Sequence, residues 1–134
     1  MIRKLLLIGI LCAGCIKDPP TGPSTIRGTW TLRTVDGNSL PATTSGSGAN
    51  QTQMVSDSFV LLEGNGFNET VVTRTTVNGV PTDQTVVITG SYGALGTSVT
   101  LRKDSDGTTR TGLVDDSGAM TFADGGFSKV YRKL

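Results

Sequence analysis

The chain has 134 residues, with 12 Lys and Arg against 11 Asp and Glu, no histidine and two cysteines, a size that suits one compact domain. Its near-neutral balance and scattered basic residues give no electrostatic footprint for nucleic acid. Without histidine, Ser-His-Asp and Cys-His nucleophiles and His-based zinc sites are excluded within the chain, so neither an enzyme nor a bound cofactor or metal is expected.

Residues 1–14 read as a secretory signal, with Arg3 and Lys4 as the positive start and Leu5 to Leu11 as the apolar stretch. That stretch falls well short of the ~20 residues needed to span a bilayer. Leu11-Cys12-Ala13-Gly14-Cys15 resembles the lipobox of bacterial lipoproteins, with Cys12 standing where that family usually has Leu. The resemblance implies that Cys15 carries lipid on its sulfur, palmitate or a similar acyl group, and becomes the new N-terminus. Two or three acyl chains would then hold the protein stably on a membrane. Ile16, in place of the Asp that signals inner-membrane retention, implies the outer membrane in a Gram-negative envelope. Two other readings stand beside this one: an ordinary secretory signal that leaves Cys15 as a thiol, and a Cys12–Cys15 pair, which lacks the βαβ context of a redox motif. After cleavage the side-chain balance shifts to one excess acid. Residues 15–25 hold Pro19, Pro20 and Pro23 and read as an extended tether of up to ~30 Å at ~3.1 Å per residue. The folded domain is expected over 26–134.

From Ile26 onward β-branched residues and short alternating runs recur between glycine turns, with no apolar spacing of helical period. The pattern predicts strands at 27–35, 58–63, 67–77, 84–92, 98–103, 109–114, 119–123 and 127–133. Turns fall at Asp36-Gly37, Gly64-Asn65-Gly66, Asn78-Gly79, 93–96, 104–107, 115–118 and 124–126. Eight antiparallel strands joined in sequence can close into an up-and-down barrel, which removes free edges; a two-sheet sandwich is the alternative. The segment 36–57, rich in Ser, Thr and Gly, is expected to be a long loop at one barrel end.

Gly28-Thr29-Trp30 on the first strand, followed by Val35-Asp36-Gly37, Leu40-Pro41 and a closing Val130-Tyr131-Arg132, resembles the lipocalin-like domains of bacterial lipoproteins. The resemblance covers roughly 26–134 and implies that Trp30 packs across the closed end of the barrel beneath a basic residue of the last strand. Arg132 is the best candidate for that residue, with Lys129 and Lys133 behind it. Such a contact contributes ~0.5–2 kcal/mol. The chain is short for a lipocalin, so its cavity is expected to be small or filled. With Trp30 inward, Leu32 also faces inward. Phe59, Leu61, Ile88, Tyr92, Leu101 and Phe122 are candidate cavity residues, and Val71, Val86, Val99 and Met120 are further interior candidates.

Asp104-Ser105-Asp106-Gly107 resembles the start of a calcium loop but departs from the full pattern, and reads as a hairpin turn. Glu63 and Glu69 read as exposed turn charges rather than a paired-acid site. Arg74 and Arg102 could face inward to meet a carboxylate, or outward to solvent. The leading functional expectation is a membrane-tethered barrel that binds a small apolar or amphipathic molecule under the 36–57 segment. The alternative is an envelope protein-binding or inhibitor module with a filled barrel, and cavity volume separates the two.

Overall fold

The computed structural model describes residues 26–134; the expected signal, Cys15 and tether lie outside them. The described residues form a single antiparallel sheet and no helix. Its strands are β1 (Gly28–Val35), β2 (Asn38–Ser39), β3 (Ala42–Ser47), β4 (Asn50–Leu61), β5 (Gly66–Val77), β6 (Val80–Leu95), β7 (Ser98–Lys103), β8 (Thr109–Val114), β9 (Ala119–Asp124) and β10 (Phe127–Lys133). The order is β2-β1-β10-β9-β8-β7-β6-β5-β4-β3, and a further β1–β4 pairing closes the sheet. Eight strands thus make an up-and-down barrel, with β2 and β3 outside it. All eight expected strands are present, because their barrel-forming stretches alternate a buried or half-buried face with a solvated one between turns with a defined backbone. At Asn78-Gly79 both φ angles are positive (50° and 80°), the geometry of a two-residue hairpin.

The segment expected to be a loop at 36–57 is instead mostly strand. Asp36-Gly37 turns the chain into β2, Leu40-Pro41 is a cis peptide, and β3 pairs with the first half of β4 from Ala42↔Met54 to Ser47↔Asn50. This part of the sheet stands beyond the barrel with both faces largely wet, so its Thr, Ser and Gln residues carry no apolar alternation to read. For the same reason β6 begins at Val80, four residues before the expected start.

The interior is divided along the barrel axis. At the end where the chain enters, Trp30, Phe59, Phe122 and Tyr131 form a chain of ring contacts, with centroids 6.3 Å apart for Trp30–Phe59 and 5.0 to 5.9 Å among the other three. The Trp30 and Phe59 rings are stacked and the other three pairs meet edge-on, and pairs of either kind contribute about 0.5–1.5 kcal/mol beyond their burial. The indole Nε1 of Trp30 donates to the Ile26 carbonyl at 2.8 Å, which satisfies its only donor and ties the entering chain across the barrel end. Leu32, Leu61, Val99, Leu101 and Met120 complete the packing. Two glycines make room for the rings: a Cβ at Gly112 would lie 2.7 Å from the Phe122 ring, and one at Gly90 would lie 2.5 Å from Phe67 and 2.0 Å from the Arg102 carbonyl. An alanine at either position collides with a packed core.

Candidate functional site

Toward the other end of the barrel the interior changes from aromatic to charged. Asp57 precedes Phe59 by two residues on β4, Glu69 stands opposite Phe59 on β5, and Lys129 and Tyr131 alternate inward along β10. Strand periodicity of two therefore places these polar groups in the same interior as the rings. Arg110 enters from β8 opposite Leu101, and Asp124 follows Phe122 on β9.

The six side chains are bonded to one another. Arg110 donates through Nη2 to Glu69 Oε1 and through Nη1 to Asp124 Oδ2 at 3.1 Å, while its guanidinium lies 5.0 Å from the centre of the Phe122 ring. Lys129 Nζ donates to Asp124 Oδ2 at 3.0 Å and stands 3.8 Å from Asp57 Oδ2. Tyr131 Oη donates to the same Asp57 oxygen at 2.7 Å. Asp57 and Glu69 are 0% and 1% exposed, so their charges must be met inside the protein. Two oxygens, Asp57 Oδ1 and Glu69 Oε2, accept no hydrogen bond. A proton on Asp57 facing Glu69 satisfies both. Burial first, and then the neighbouring Glu69 charge, push the Asp57 carboxyl up to about 7, against the opposing pull of Tyr131 and Lys129. Burial opposes the Arg110 charge, but Glu69 and the bonds around it more than compensate and hold the guanidinium ionised. Burial also works against ionised Asp124, yet Lys129 and Arg110 keep its carboxyl below the usual range. Arg110 thus sits between the Glu69 and Asp124 carboxylates, and Lys129 between those of Asp124 and Asp57.

A pocket of about 120 Å³ opens beside this network, lined by Phe67, Leu101, Lys103, Thr108, Thr109, Arg110 and Asp124. Phe67 and Leu101 supply apolar wall. Lys103, at the inward face of the β7 end, makes no ion pair among the described residues, and Asp106 is the carboxylate that feels its charge. The pocket is thus part apolar, with one cation outside any ion pair in its lining.

Of the residues expected to line a cavity, Leu32, Phe59, Leu61, Tyr92 and Phe122 are core side chains that fill the barrel, and only Leu101 also reaches the pocket. Ile88 packs against the core from the part of β6 that leaves the barrel. Tyr92 is anchored further by its hydroxyl, which donates to the Leu62 carbonyl at 2.9 Å. Gly28 and Trp30 sit at the barrel end as expected, whereas Arg132 does not cover the indole: it pairs with Thr31 on the outer face and donates to the Ser117 carbonyl at 2.6 Å. Lys133 is the residue opposite Trp30, with its Cε 3.0 Å from where a Gly28 Cβ would lie. A regular two-residue alternation places Arg132 outside once Tyr131 is inside. Glu69 is a second correction, since it is buried in the ion network rather than exposed at a turn. Arg74 and Arg102 face outward; the inward arginine is Arg110, which the sequence reading passed over. The 104–107 segment is a turn closed by Asp106 Oδ1, which accepts from Thr108 N at 2.9 Å and Thr108 Oγ1 at 2.7 Å. No family model, curated protein or solved structure matches the chain.

Proposed function

We propose that this chain is an envelope lipoprotein, anchored through lipidated Cys15, whose lipocalin-like barrel binds a small amphipathic anion at its open end. The observation that carries the reading is the 120 Å³ pocket with apolar walls at Phe67 and Leu101 and, in its lining, Lys103, which forms no ion pair among the described residues. Volume sets the ligand size. A protein cavity of about 150 Å³ holds one benzene, so this pocket suits a short carboxylate of about five or six heavy atoms and excludes a long acyl chain. Chemistry sets the orientation, with the carboxylate at Lys103 and the short apolar part toward Phe67. The filled aromatic half of the barrel narrows the expected small apolar or amphipathic ligand to this small, charged class. It also favours a second reading, an envelope protein-binding module, because a filled barrel leaves its outer surfaces and edges as the larger recognition area.

Calorimetric titration of the mature protein with butyrate, butanol and butylamine tests the ligand class. Saturable binding of butyrate alone is expected, weakened about tenfold in Lys103→Met, as the loss of one charge-assisted bond implies. Equal binding of butanol, or none of the three, would remove the anion reading. A small molecule that co-purifies with the native protein and is lost on denaturation would identify the natural ligand.

A further inference from the structure

Four exposed valines of the sheet are gathered on one element. Val77, Val80, Val86 and Val87 are 56%, 66%, 43% and 67% exposed, and all lie on the part of the β5–β6 hairpin that projects past the barrel. β6 pairs with β5 along its length, from Val77↔Val80 to Gly66↔Ser91, without a register shift. On its other side it pairs with β7 only from Gly90↔Lys103 to Leu95↔Ser98. Thr89 is covered by the next turn, through Asp104 N to its carbonyl at 3.0 Å and its own hydroxyl to Asp104 at 3.1 Å. From Val80 to Ile88 the outer edge of β6 has no strand beside it.

Backbone direction within that edge follows from two bonds. The Thr89 carbonyl points outward to Asp104, and Tyr92 N points the other way, toward Asn65 on the β5 side. Since N–H and C=O groups alternate sides along a strand, odd-numbered residues carry the outward groups. Asp83, Thr85 and Val87 therefore present unpaired donors and acceptors, while Gln84, Val86 and Ile88 bond to β5. Pro81, which has no N–H, sits on the outward series, where a proline is tolerated.

Proteins commonly blunt such an edge with lysines, bulges or short length. The two strands at the ends of the sheet order are treated this way: β2 has two residues, and β3 has six with a register break between Thr43 and Ser45. β6 carries no lysine or arginine, and its one acidic residue in this region, Asp83, is neutralised by Arg74 on β5 through bonds of 2.6 and 2.8 Å. Gln84-Thr85-Val86-Val87-Ile88 is left uncharged, β-branched and unguarded.

We infer that the outer edge of β6 from Val80 to Ile88 is a docking site for one extended segment of another protein, which adds to the sheet as a further strand. An open backbone edge specifies the conformation of its occupant, as an apolar face alone would not. The occupant bonds to Asp83, Thr85 and Val87, and its alternate side chains meet Val86 and Ile88 on one face and Thr85 and Val87 on the other, so it is uncharged and β-branched, apolar on the first face and tolerant of Thr on the second. A second copy of this chain fits less well. Antiparallel pairing of two β6 edges turns the domains head to tail and sends their Ile26 ends in opposite directions, which chains anchored in one membrane do not accommodate. That exclusion of a second copy rests on the proposed anchor; the edge itself does not.

The test is amide hydrogen exchange on the mature protein, with and without a nine-residue peptide alternating Thr and Val between terminal lysines. Added strand pairing is expected to slow exchange about tenfold at Asp83, Thr85 and Val87 while leaving Gln84, Val86 and Ile88 unchanged. Val87→Pro removes an outward N–H and should abolish the effect, whereas Val87→Thr, which keeps the edge, should retain it. Trp30 fluorescence reports whether the proline variant is folded, and Thr85→Pro replaces it where it is not. Unchanged exchange at the odd-numbered residues, or equal slowing at odd and even ones, would overturn the inference. So would the same alternating protection produced by concentrating the protein without peptide, which would identify a second copy as the occupant.

Discussion

Asp57 is a carboxyl group buried where its ionised form meets Lys129 at 3.8 Å but also faces the charge of Glu69. Because its folded pKa is raised to about 7 from 3.8, the folded state holds a proton that the unfolded chain gives up near pH 4. The stability from this group is fully present below pH 4 and is lost as pH rises to 7, by up to about 4 kcal/mol at 1.36 kcal/mol per unit. Asp83, Asp106, Asp115 and Asp124, whose carboxyls are held below their usual range, act in the opposite sense and lose their contribution as pH falls below 4. The protein is therefore expected to be most stable in mildly acid solution. Urea unfolding at pH 5 and pH 8 checks this, and Asp57→Asn should abolish the fall between them. An amide there still accepts from Tyr131 and donates to Glu69 without needing a proton from solvent. A wild-type midpoint that does not fall from pH 5 to pH 8 would mean that the Asp57 carboxyl is ionised in the fold.

At the scale of elements, the β5–β6 hairpin divides into a half that builds the barrel and a half that stands clear of it. Glu69 and Phe67 belong to the first, with exposures of 1% or less, while Thr75 to Asp83 are exposed apart from the half-buried Thr76. Replacing residues 76–81 with Asn-Gly joins Thr75 to Thr82 in their present register, a hydrogen-bonded pair like the native Val77↔Val80, through a two-residue turn. This shortened chain is expected to unfold in one cooperative step with its Trp30 emission unchanged; a broadened transition would show that the projecting half supports the core. The same division explains what was legible in the sequence. Strands such as Val99-Thr100-Leu101 and Met120-Thr121-Phe122 alternate because the barrel dries one face and leaves the other wet, and the Asp-Gly and Asn-Gly turns mark their ends. β3 and the outer half of β4 carry no such contrast. The site was less legible than the fold. Period-two alternation placed Leu101 and Phe122 inside, but Glu69, Arg110 and Lys129 sit inside as mutual partners, and pairing across β5, β8 and β10 leaves no mark in any one strand.

Across the whole molecule, the two ends of the barrel differ in chemistry and in what they face. The chain enters beside Trp30, whose indole is tied to Ile26. The charged pocket and the projecting hairpin lie toward the other end. At ~3.3 Å per residue the eleven steps of β5 carry the hairpin tip about 36 Å from the entry end. The proposed tether before Ile26 would add up to ~30 Å if extended. An anchor at Cys15 would therefore hold the aromatic end toward the membrane and direct the pocket and the β6 edge away from it. All ten strands lie within residues 28–133, so the proposed anchor is expected to be separable from the fold. Cys15→Ala, expressed in bacterial cells, is expected to move the chain from the detergent phase to the aqueous phase on phase separation. Its urea midpoint should equal that of the released wild-type domain. A Cys15→Ala chain that stays in the detergent phase would place membrane attachment on the barrel itself, and the exposed valines of the hairpin would be the first surface to test.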